Sequence, residues 1–215
     1  RVRALVNSSG LETILKSSMA IPPANSGFNY GNAEFLYLCA QSISCYSALL
    51  LSFSPQQRAP FLMNICAGLN AQLPMPIGLA CLQAVASAVD CIEGYEKESF
   101  LPPAVEGVCR MLAISPKDTL HFTMATLSIL LCDLKEDFVC RVEPTVTPLL
   151  IQSWSNHAND VSLVLSIVDV FKQLAKSSLA LPGIVQRALP TFVTLLHNFL
   201  RQQSCVVEAA LDMLH

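Results

Sequence analysis

Charge is scarce in this chain. Only 13% of its 215 residues are charged while 53% are hydrophobic, so little polar surface is available and most helices must be covered by other protein. The 16 acids outnumber the 13 bases. A nucleic-acid surface needs a basic stripe to neutralise phosphates, and none is present, which excludes direct nucleic-acid binding. No hairpin signal and no useful alternation of apolar and polar residues argues for strands. A glycine-rich phosphate loop is also missing, because Gly68, Gly78, Gly94, Gly107 and Gly183 stand singly. Histidines 121, 157, 197 and 215 have no second histidine at i+4 and no cysteine at ligand spacing, so neither a zinc site nor a nucleophilic dyad has a scaffold. His121 and Asp118 share a helix face, where an ordinary surface pair is the commoner arrangement. These absences predict a protein that is not an enzyme, with no catalytic residues, no cofactor and no metal.

Nine cysteines are present, at 39, 45, 66, 81, 91, 109, 132, 140 and 205, and no two have CxxC spacing. Most sit among apolar residues, where free cysteine acts as a small hydrophobe; a reducing compartment without disulfides or zinc is expected. Residues Arg1 to Lys16 lack the apolar core and small-residue cleavage site of a secretory signal. No charge falls between Glu34 and Arg58 or between Arg58 and Asp90, lengths that could span a bilayer. Serines 42, 44, 47 and 52 and Gln41 interrupt the first stretch, and Asn64, Asn70, Gln72, Pro74 and Pro76 the second. Polar groups at that frequency are costly in lipid, so helices buried in protein are expected instead of membrane insertion.

What is present is a repeat. Helix starts are expected at Glu34, Pro76, Asp118, Asp160 and Ser204, in steps of 42, 42, 42 and 44 residues. Pro60, Pro102, Pro144 and Pro190 mark a second set between them, in steps of 42, 42 and 46. Two interleaved ladders imply a unit of two helices, A and B, at the period of HEAT-type repeats. Such a unit cannot bury its apolar face alone, so neighbours must stack. The expected fold is all-α, a HEAT-repeat superhelix forming a right-handed solenoid of antiparallel helix pairs. Its expected organisation is one continuous segment over 1–215. Within it come a half repeat over 1–20, a loop over 17–33, repeats over 34–73, 76–113, 118–155 and 160–199, and a truncated A helix over 204–215. Capping repeats with polar outer faces are missing, so the chain is expected to be a piece of a longer array.

Local chemistry agrees with the period. Val164, Ile167, Val168, Phe171 and Leu174 fall on one helical face, with Ser166, Asp169 and Lys172 on the other. Ser115-Pro116-Lys117-Asp118 and Ser54-Pro55-Gln56-Gln57 read as helix starts, each with a capping serine and proline at the first helical position.

The phrases FLYLCAQSISCYSALLLSFSPQQRAPFLMNICAGL, FLPPAVEGVCRMLA, TLHFTMATLSILL, EDFVCRVEPTVTP, SNHANDVSLVLSIVDVFKQLA and QRALPTFVTLL resemble, in that order, the middle repeats of the importin-beta family of nuclear transport receptors. The resemblance covers about Phe35 to Leu196 and rests on scattered helix-face and turn residues. It implies a shuttling receptor of cytoplasm and nucleus that carries basic cargo, histones and ribosomal proteins in one branch, past nucleoporins. Cargo release by the GTPase Ran in its GTP form is implied too, through parts of such receptors that precede this segment. A static HEAT scaffold assembling a cytosolic complex is the alternative.

Two features are candidates for contact with partners. Asp90, Glu93, Glu96 and Glu98 gather in one A-to-B turn, and Asp133, Glu136 and Asp137 in the next. Stacking would place these turns on one edge, able to steer a basic cargo, although polar loops are also simply wet. Trp154 lies near the end of a B helix, where it could form an inner-surface contact or, more commonly, pack in the core.

Overall fold

The computed structural model describes Thr13 and residues 33–70 and 72–199. The expected half repeat at 1–20, the loop at 17–33 save residue 33, and the truncated helix at 204–215 therefore lie outside the described residues, apart from Thr13. Within them the chain is all-α and has no strand. The helices are α1 (Ala33–Ala48), α2 (Pro55–Gly68), α3 (Met75–Val89), α4 (Gly94–Ile114), α5 (Lys117–Cys132), α6 (Glu136–His157), α7 (Val161–Ala175) and α8 (Leu181–Phe199). A single 3-10 turn, Leu50–Ser52, separates α1 from α2. The chain divides into two compact units, residues 1–111 and 112–215.

The A helices begin close to where the sequence places them. Asp160 caps α7, its carboxylate accepting from the Leu163 N–H at 3.2 Å, which satisfies one of the donors that every helix start leaves open. At α5 the start is displaced: Pro116 occupies the cap and the Ser115 hydroxyl pairs with Thr123 Oγ1 at 3.1 Å. The B helices differ more. Pro60, Pro102, Pro144 and Pro190 lie inside α2, α4, α6 and α8 instead of at their starts. α2 begins at Pro55, where Ser54-Pro55-Gln56-Gln57 signals a start, while α4, α6 and α8 begin well before their marker prolines, at Gly94, Glu136 and Leu181. Acids favour the positive end of the helix dipole, and Glu96, Glu136 and Asp137 occupy first turns accordingly.

In the first unit α3 is the central element, with α1 and α2 both packed on it. Tyr46 of α1 stacks between Phe53 and Phe61, with ring centroids 4.4 and 4.3 Å away. Its hydroxyl donates to the Gln57 carbonyl at 2.9 Å, so the ring is buried without stranding its polar end. Gln57 Oε1 in turn accepts from the Ser54 N–H at 2.9 Å, closing the start of α2. Ile77, Leu82, Val85 and Val89 of α3 complete this core.

In the second unit alternate helices stack: α5 on α7 and α6 on α8, with α6 also against α7. Val164, Ile167, Val168, Phe171 and Leu174 are all buried, while Asp169 and Lys172 are exposed, as the helical spacing requires. Phe192 of α8 meets Trp154 at 5.2 Å and Phe171 edge-on at 5.4 Å. This aromatic cluster ties three helices together. No helix among the described residues is long and apolar enough to cross a membrane.

Candidate functional site

The helix starts fix where the acids go. Asp90 caps the end of α3 and Glu93 follows it, both exposed. Gly94 then adopts φ +57, a left-handed conformation that other L-residues seldom enter, and opens α4. Glu96 and Glu98, expected in a turn, therefore lie within α4. Asp133 caps α5, and Glu136 and Asp137 form the first turn of α6.

Glu96 and Glu136 bind across to other elements of the fold. Glu96 Oε2 accepts from Arg58 Nη2 at 2.7 Å, and Arg58 Nη1 also reaches the Cys91 carbonyl at 3.4 Å. The two side chains are only 12% and 16% exposed, so this pair holds α2 against α4 instead of facing a partner. Glu136 Oε1 accepts from Ser178 Oγ at 2.6 Å, from the Leu179 N–H at 3.2 Å and from Ser177 Oγ at 3.4 Å. These bonds, the Ser178 hydroxyl first, hold its carboxyl below the usual range. Glu93, Glu98, Asp133 and Asp137 are exposed. Asp90 to Glu98 belong to the first unit and Asp133 to Asp137 to the second.

Trp154 is not a surface residue. Its exposure is 0% and its ring meets Phe192 at 5.2 Å, so the residue packs in the core instead of forming an inner-surface contact.

The sequence reading missed the polar seams. Glu143 sits at a position of α6 where Val139, Val146 and Leu150 mark a buried face, and it is itself buried. Arg187 of α8 donates to its Oε2 at 2.5 Å. The helix α8 comes close enough at Gly183 that a Cβ there would lie 2.6 Å from the same oxygen. A lone acid on an apolar helical face, with an arginine one repeat interval later, is the signal that could have found this pair.

Side-chain links between alternate helices recur at similar separations along the chain: Arg58 and Glu96 are 38 residues apart and Cys140 and Leu179 39. Arg110 Nε donates to the Leu69 carbonyl, 41 residues away, at 3.2 Å. Glu136 and Ser178 are 42 apart, Glu143 and Arg187 44, and His121 Nδ1 and Ser166 Oγ 45 at 2.6 Å. Lys117 also reaches Asp160 at 3.1 Å. The Leu163 N–H and then Lys117 hold the Asp160 carboxyl below its ordinary range.

The described cysteines are all free thiols. Burial pushes Cys66 and Cys81 up to about 12 and Cys109 up to about 11, which leaves them protonated and unreactive. Among the described residues no three His, Cys, Asp or Glu side chains converge where they could hold a metal ion. The arrangement is one of interlocked helices whose charged groups join neighbours. No family model matches the chain, and no curated protein matches it.

Proposed function

We propose that the chain is a run of HEAT-type repeats that binds protein partners as part of an importin-beta-like import receptor. The observation that carries the repeat reading is the recurrence of separations of 38 to 45 residues in the side-chain links between alternate helices. Repeat arrays of stacked helix pairs commonly bind other proteins along their surface. The receptor reading is supported further by the ordered likeness of six sequence phrases to the importin-beta family. Cargo and Ran in its GTP form would favour different curvatures of the array, each seam contributing a small change. The exposed acids Asp90, Glu93, Glu98, Asp133 and Asp137 would steer a basic histone-like or ribosomal cargo. Such steering acts mainly on the association rate.

One observation favours the static scaffold. Glu96 and Glu136 are spent on holding neighbouring helices, which leaves a thinner acidic edge than the sequence suggests. The two readings separate in one experiment: capture of a histone by the full-length protein, with and without Ran locked in its GTP form. Release of the histone on adding Ran supports the receptor; retention regardless of nucleotide supports the scaffold.

A further inference from the structure

We propose that Ser178 is a phosphorylation site whose modification opens the seam between α6 and α8. The residue is exposed on the turn joining α7 to α8, where a kinase can reach it more easily than within a helix. Lys176 stands two residues before it and Lys172 six before, and Leu179, 54% exposed, follows it. A serine with upstream lysines on a surface turn suits a basic-directed serine/threonine kinase. In the transfer, the Ser178 oxygen attacks the γ-phosphorus of ATP. An O–P bond forms, the bond to the β-phosphate oxygen breaks, the hydroxyl proton passes to the kinase's carboxylate base, and ADP leaves.

The consequence follows from what Ser178 touches. Its hydroxyl donates to Glu136 Oε1 at 2.6 Å across the seam. A phosphoserine carries a charge of roughly −1.5 to −2 and is dominantly an acceptor near neutral pH, so the bond is lost and like charges meet where it stood. The start of α8 lies close by and favours an anion, but its partial charge of about half a unit is the smaller effect. The other donors to Glu136, the Leu179 N–H and Ser177 Oγ, belong to the same turn, so the turn moves away as a unit. Cys140 Sγ, 3.7 Å from the Leu179 carbonyl, parts with it. The Glu143–Arg187 pair, further along both helices, stays closed. The seam therefore hinges at one end, and a repeat array changes its local curvature.

The test uses the whole chain and needs neither cargo nor Ran, so its failure would leave the receptor reading untouched. Phosphoserine is placed at 178 during translation, and hydrogen exchange is followed over the start of α8. Exchange there should quicken by about tenfold, against less than about threefold for Ser178→Ala, which loses only one bond. Adding Glu136→Lys to the phosphoserine chain should return exchange to within about threefold of the unmodified protein, since attraction then replaces repulsion. Separately, a basic-directed kinase with ATP should phosphorylate Ser178 in the folded chain, and Lys176→Glu should reduce the yield by more than about fivefold. Unchanged exchange in the phosphoserine chain would overturn the switch; absence of phosphate at Ser178 would overturn the site.

Discussion

Glu143 shows how much of the fold hangs on single residues. A carboxylate removed from water costs free energy unless it is paired and hydrogen-bonded. Arg187 supplies the pairing, although its own side chain is 38% exposed. Arg187→Ala should therefore destabilise the chain by about 2–3 kcal/mol, less than a fully buried pair would lose, because solvent reaches one partner. The double variant Glu143→Leu with Arg187→Leu should recover most of that loss. Urea unfolding of Arg187→Ala and of the double variant checks both statements; equal losses in the two would show that pairing is not what the arginine provides. Gly183 belongs to the same contact, since Gly183→Ala would push a methyl group against the Glu143 carboxylate.

At the scale of elements, the turns are held by carboxylates whose folded-state proton affinity is low. Glu136 accepts from the turn before α8, and Asp160 caps α7 while meeting Lys117. Both hold their protons less tightly folded than unfolded, so their contribution is complete above the ordinary carboxylate range of about 4. It is lost as pH falls from there through the lowered folded values. Urea midpoints should be flat for these two groups from about pH 6 to 5 and fall below pH 4, and the fall should shrink in Glu136→Gln. The A helices were legible because their apolar faces recur at helical spacing, as Val164, Ile167, Val168, Phe171 and Leu174 do. Among the B helices the start of α2 was legible from Ser54-Pro55-Gln56-Gln57, but the later starts were misplaced because prolines that suit a first turn also occur inside longer helices, as Pro102 and Pro103 do in α4. Acids at 96, 136 and 137 were the better start signal. The roles of Glu96 and Glu136 were not legible, because an acid bonded across a seam and an acid in a wet loop look alike in one sequence.

For the whole molecule, binding and architecture make separate demands on the acids. Replacing Glu93 and Asp137 by lysine should slow association of a basic cargo at low salt and leave thermal stability nearly unchanged, since both are exposed. Stopped-flow association at two salt concentrations reads this directly, and identical rates would assign those residues to ordinary wet surface. The larger claim is that paired helices recur along the chain and lie against their successors in a fixed register. The contact of His121 with Ser166, at 2.6 Å, tests that register most directly. In a chain carrying His121→Cys and Ser166→Cys, mild oxidation followed by mass spectrometry should find a disulfide between positions 121 and 166. A chain carrying His121→Cys and Asp169→Cys, one helical turn out of step, should give little. Absence of the 121–166 bond, or equal yields from the two chains, would contradict the stacking on which the account stands.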